Sequence, residues 1–107
     1  MKTFSAIQPG EKRLREFDFE GAFTDENGSV YDSIGSVLDV TIIDAATEED
    51  CTSTMYDNST DVIDGCVLRT RINGNVDGHS YKITVTVEGS TFGEVVELEA
   101  IQPVAEV

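Results

Sequence analysis

The sequence predicts an all-β protein: an antiparallel two-sheet sandwich of about seven strands. Three observations carry that expectation. Apolar and polar residues alternate in several separate stretches, turn signals recur every ten residues or so, and no stretch has a convincing apolar face at helical spacing. The plainest case is Asn75–Val104. There Tyr81, Ile83, Val85 and Val87 alternate with Lys82, Thr84, Thr86 and Glu88, the period-2 pattern of a strand with one buried and one wet face. After a connection from Gly89 to Glu94, Val96, Leu98 and Ala100 alternate with Glu97 and Glu99, so a second strand returns antiparallel to the first. Asp77-Gly78 marks the turn before this hairpin, and Pro103, which has no N–H to donate, ends it.

The other elements follow in chain order. Phe4, Ala6 and Ile7 form a short edge strand stopped by Pro9-Gly10. Phe17 and Phe19 alternate with Glu16, Asp18 and Glu20, so both rings point into the core from one strand. Between Gly21 and Gly35, Asn27-Gly28 reads as a tight turn, with Tyr31 and Ile34 as the apolar anchors. Val37–Ile43 is a central strand with Leu38, Val40 and Ile42 on its inner face. The acidic segment 44–64 reads as a long loop with one short strand or helical turn. Cys66, Leu68 and Ile72 then alternate with Val67, Arg69 and Arg71 to give one more strand. The expected core is Phe17, Phe19, Leu38, Val40, Leu68, Tyr81, Ile83, Val85, Val96 and Leu98. The layout is immunoglobulin-like, although the chain has no Trp and lacks the Cys, Trp, Cys spacing of true immunoglobulin domains.

At 107 residues the chain has the size of one domain, 1–107, built around one core. Hydrophobic residues make up 39%, too many for a wholly disordered chain. Seven Lys and Arg stand against 21 Asp and Glu, a formal charge of −14. Such a field repels nucleic acid and anionic lipid and favours cations or basic protein surfaces, so direct nucleic-acid or membrane binding is not expected. No apolar run of signal-peptide length precedes Pro9, and none approaches the roughly 20 residues that span a bilayer, which predicts synthesis and retention in a cytosol. In that compartment Cys51 and Cys66 are expected as free thiols, Cys66 as a small core residue.

Little in the sequence suggests chemistry. His79 is the one histidine, and in Asp77-Gly78-His79-Ser80 it reads as part of a turn. Ser80 sits in no nucleophile elbow and, next to His79 on an alternating strand, points to the opposite face. Asp25-Glu26-Asn27-Gly28 lacks the ligand order of a calcium-binding EF-hand loop, and Glu48-Glu49-Asp50 is simply acidic. No enzymatic activity, metal or cofactor is expected. What stands out is the basic cluster Lys12, Arg13 and Arg15, interrupting an acidic chain. It reads as a solvated strand start or as a docking patch for an acidic neighbour, with Glu48, Glu49 and Asp50 as the matching acidic patch.

The last third, I-N-G-N-V-D-G-H-S-Y-K-I-T-V-T-V followed by G-E-V-V-E-L-E-A-I-Q-P-V, resembles an ending that recurs among small structural proteins of tailed bacteriophages and prophages. That ending has a Gly-Val-Asp-Gly turn, a Tyr-led strand and a final Leu-Glu-x-x-Leu-Pro-Val strand. K-T-F-S-A-I-Q-P-G-E, the Phe17–Glu20 strand and the stretch from Ser33-Ile34 to Ile43 are similar to the same family's opening segments. Asn75 stands where the family has glycine, and Gln102 where an apolar residue precedes the proline. The resemblance implies a non-enzymatic virion component of the head-tail or tail adaptor type, made in the bacterial host cytoplasm, with an immunoglobulin-like sandwich and no catalytic residues. Its partners would be other virion proteins, and copies could join head to tail into a homo-oligomeric ring. Two other classes fit the composition: an acidic binding module, adhesin-like or calcium-binding, and an acidic DNA mimic that inhibits a nucleic-acid enzyme.

Overall fold

A computed structural model describes residues 1–106. The strands are β1 (Lys2–Thr3), β2 (Lys12–Asp18), β3 (Ile34–Asp44), β4 (Tyr56–Val62), β5 (Val67–Asn73), β6 (Ser80–Gly89) and β7 (Val95–Pro103). A 3-10 turn at Glu20–Phe23 and one helical turn, α1 (Thr52–Met55), complete the regular structure. The strands form two sheets, ordered β1-β7-β6-β3 and β2-β5-β4. Every strand pair is antiparallel except β1 with β7.

The period-2 pattern of β6 is realised in full: Tyr81, Ile83, Val85 and Val87 are completely buried, while Lys82, Thr84 and Thr86 are only half-buried. Burying each such side chain contributes about 1.5–3 kcal/mol. Phe17, Leu68 and Ile72 of the smaller sheet join them in one continuous core. Val96 and Leu98 of β7 pack against that core without being enclosed. The β6–β7 hairpin holds its register from Ser80↔Pro103 to Glu88↔Val95, so the alternation, the Gly89–Glu94 connection and the terminal proline lie where the sequence puts them.

Three expectations need correction. Leu38 is 49% exposed and is not a core residue. β3 carries two irregularities: Ile34 pairs with Gly89 but Ser36 with Glu88, and Val37 with Val87 but Asp39 with Thr86. Each inserts one residue, Gly35 and then Leu38, opposite none on β6, and each insertion flips the inward face. Hence Val37 and Val40 both turn towards the core and Leu38 turns out. Gly35 is required at the first bulge, because a Cβ there would come within 2.7 Å of the Ser90 Cα. β3 is also an edge strand and not the central one expected, so the bulges blunt an edge on which another chain could pair.

Secondly, the N-terminal edge strand is Lys2–Thr3 and runs parallel to β7. Phe4 and Ile7, just beyond it, are buried, whereas Ala6 is exposed. Thirdly, segment 44–64 contains both a helical turn and a seven-residue strand. Polar side chains hold that strand where apolar alternation is missing. Asp57 pairs with Arg71, and Thr60 donates to the buried Thr70 Oγ1 at 3.1 Å, contacts of the cross-strand kind. Met55, fully buried, anchors the helical turn.

The bulge yields a test in which two neighbours behave oppositely. Leu38→Glu should change the urea midpoint by no more than about 0.5 kcal/mol equivalent. Val40→Asp, and likewise Val85→Asp, should be severely destabilising, because each buries an unpaired charge. Equal loss from Leu38→Glu and Val40→Asp would show that the assigned register is wrong.

Candidate functional site

The basic cluster is divided by the pleat of β2. Strand alternation puts Lys12 and Leu14 on the outer face and Arg13 and Arg15 on the other. Lys12 is exposed. Arg13 is also exposed and is paired with Glu11. Arg15 is not a solvated residue: it is 9% exposed. Its Nε donates to Gln102 Oε1 at 2.8 Å and one terminal nitrogen donates to the Ser5 carbonyl at 2.7 Å. Gln102 is itself fully buried and donates from Nε2 to the Ser5 and Pro103 carbonyls at 2.9 and 2.8 Å. Gln102, the polar departure before Pro103, is thus the partner that a buried arginine on the opposite sheet requires.

Glu48, Glu49 and Asp50 follow the end of β3. Asp44 N–H donates to the Glu49 carbonyl and Glu48 N–H to the Asp44 carbonyl, closing a turn in which Glu48 adopts φ +61°. Asp50 Oδ1 accepts the Thr52 N–H at 2.9 Å, and the Thr52 side chain first, with this N–H, holds its carboxyl below the ordinary value. Glu48 and Glu49 keep exposed side chains. Lys12 pairs with Asn73, Asp44 with Tyr81, and residues 74–79 join the two strands concerned. The basic start of β2 and the acidic turn therefore share one end of the molecule, and no ion pair joins them among the described residues.

That end holds a pair that the turn reading of His79 missed. His79 Nδ1 lies 2.6 Å from Asp44 Oδ2, and the imidazole stacks on Tyr81 with centroids 6.4 Å apart. Asp44, only 3% exposed, also accepts the Ala46 and Thr47 N–H groups. The His79 bond first, and those backbone donors with it, hold its carboxyl below the ordinary range against the upward pull of burial. At the opposite end Asp32 plays a similar part, accepting N–H groups of Ser33, Thr91 and Phe92 at 2.7–3.0 Å. Burial raises its pKa, but the three backbone donors together outweigh it and the net shift is downward. Asp25 Oδ1 accepts the Asn27 and Ser29 N–H groups, so this oxygen of the first acidic motif closes its own turn.

Cys51 and Cys66 are both free and buried. Their thiols face the Glu49 and Asp32 carbonyls, and burial, reinforced by nearby carboxylates, pushes both pKa values up. Among the described residues, no helix is long and apolar enough to cross a membrane. No protein-family model, curated protein or solved structure matches the chain significantly.

Two outcomes are expected. A carboxyl whose folded pKa is depressed adds stability that is complete above its unfolded value, near 3.9, and is lost as pH falls through the folded one. Asp32→Asn and Asp44→Asn should therefore be less stable than the parent at neutral pH, with the gap closing below about pH 4 in urea melts. A gap constant with pH would contradict the depressed values. The two thiols should also resist a colourimetric thiol reagent in the native state and react together once denaturant is added; fast native reaction at either would contradict their burial.

Proposed function

We propose that the protein is a non-enzymatic structural component of a tailed-bacteriophage or prophage virion, of the head-tail or tail adaptor type. It would be made in the host cytoplasm and act by docking to other virion proteins. The observation that carries the docking reading is the distribution of positive charge. Of seven Lys and Arg, six (Lys2, Lys12, Arg13, Arg15, Arg69 and Arg71) belong to β1, β2 and β5, leaving Lys82 alone elsewhere. A chain of net charge −14 thus gathers its cations on one flank, where Arg13, Arg69 and Arg71 meet carboxylates of the same molecule. Lys2, Lys12 and the buried Arg15 are left to face an acidic protein surface, while the overall field discourages adhesion to packaged DNA.

The strand order supports the immunoglobulin-like part of the reading. With β2 to β7 taken as strands B to G, the sheets read G-F-C and B-E-D, the partition of that fold, and β1 adds to G. The phage assignment rests on the resemblance of the last third and the opening segments. Lys12 and the Glu48–Asp50 turn share one end, and contact between the basic patch of one copy and the acidic turn of the next is heterologous, so it would close into a ring where the rotation per subunit allows. In the particle, neighbouring virion proteins would set that rotation.

The experiment is incorporation. Particles from a producing strain that expresses the tagged chain are purified, and tag content is compared for the parent and for Lys12→Glu/Arg13→Glu. Arg15 is left alone, since reversing a buried charge would unfold the domain. The parent should co-purify with particles and the variant should be depleted while remaining folded by circular dichroism. A parent that never co-sediments with particles removes the virion reading, and undiminished incorporation of the variant removes this patch from it.

A further inference from the structure

We infer that the groove along the open edge of β2 is a docking site for a short extended acidic segment of a partner protein, with Arg15 as the carboxylate anchor. This rests on the reading of the protein as a docking module, and not on its assignment to a virion. The groove, of ≈ 460 Å³, is lined by Lys2, Phe4, Leu14, Arg15, Glu16 and Arg69. Arg15 is buried and charged, yet its hydrogen-bond partners, Gln102 and Ser5, are neutral, and no carboxylate pairs with it among the described residues. A cation held out of water without a counter-charge is costly, and a carboxylate entering from the groove offsets that cost.

The surroundings repeat the demand. The Phe4 ring carries two cations, the Lys2 ammonium at 4.9 Å and the Arg15 guanidinium at 5.0 Å from its centroid. Like charges are gathered there in a chain that has few to place. The acid lining the groove, Glu16, is already taken by Arg69 at 3.0 Å. β2 ends its sheet, so one side of its backbone can pair with an added strand, and the side chains beside it would read alternate residues of that strand. A neighbouring cavity that shares Lys2 and Glu16 continues past Phe17, Leu98 and Ala100. Asp18 and Glu99 also line that cavity, so an entering strand that sets its acidic residues over Lys2 and Arg15 and its apolar residues beside Phe17 and Leu98 matches these walls. The net charge of −14 makes a second whole copy a poor occupant, whereas a short segment meets mainly the local charge once salt screens carboxylates beyond about 8 Å.

The test uses a short fluorescein-labelled peptide alternating Leu and Glu, with a Leu/Lys peptide as control, in anisotropy titrations near physiological salt. The parent should bind the Leu/Glu peptide saturably and in preference to the control. The surface variant Lys2→Gln/Arg69→Gln should weaken binding by about tenfold or more. Amide NMR shifts should map to Leu14–Asp18 and Lys2–Phe4. Arg15→Met is compared only after its melting curve shows it folded, so the surface pair decides the matter. Absent saturable binding, shifts elsewhere, unchanged affinity of the surface variant, or equal binding of the Leu/Lys peptide would overturn the proposal. Concentration-dependent self-association that the peptide competes away would overturn its choice of occupant. Failure of particle incorporation would leave the result standing, so the two readings fail separately.

Discussion

A single buried guanidinium connects the parts of this fold. Arg15, on β2 of the smaller sheet, reaches Gln102 on β7 of the larger one and the Ser5 carbonyl in the segment that follows β1. The apolar core also joins the sheets, but it is non-directional and sets no register between them. The Arg15–Gln102 bond is directional, and Gln102 passes the constraint on through the Ser5 and Pro103 carbonyls. Loss of either partner would leave buried polar groups unpaired, a heavier penalty than loss of the bond alone. The same link seats Phe4 against Phe17, with centroids 5.6 Å apart and rings nearly perpendicular, and so shapes the groove beside β2.

The acidic composition has a second consequence, in the turns. Asp25, Asp32, Asp44, Asp50 and Asp57 each accept backbone N–H groups a few residues away or across a loop. Short carboxylate side chains are suited to this because they reach the N–H two residues on without straining the backbone. Much of the negative charge therefore fixes connections while contributing to the field around the molecule. This explains how segment 44–64 can be regular despite its composition: its acids make the local bonds that apolar residues would otherwise replace with packing.

Strand existence was legible wherever one face is buried, as in β6 and β7, because alternation in sequence is alternation in space. The inward set of β3 was not, since two bulges reset its phase and neither Gly35 nor Leu38 advertises a bulge without knowledge of the partner strand. Phe23, fully buried, was missed because its spacing of four from Phe19 belongs to a helical turn rather than to a strand. β4 was hidden by its residues, Tyr-Asp-Asn-Ser-Thr-Asp-Val, whose pairing depends on Arg71 and Thr70 of another strand. In the candidate site, positive charge at Lys12, Arg13 and Arg15 was evident, but which of them is buried depends on Gln102, 87 positions from Arg15. No local pattern carries that. A polar residue just before Pro103, inside an apolar alternation, was the one available signal.

A double-mutant cycle tests the Arg15–Gln102 link most directly, because it isolates the pair from the packing each side chain also provides. Arg15→Met, Gln102→Leu and the double variant would be compared with the parent by urea denaturation at neutral pH. The structure predicts that each single change is strongly destabilising and that the double variant recovers part of the loss, with a coupling of about 1–3 kcal/mol. Additive effects, with no recovery in the double variant, would contradict the claim that this bond joins the two sheets.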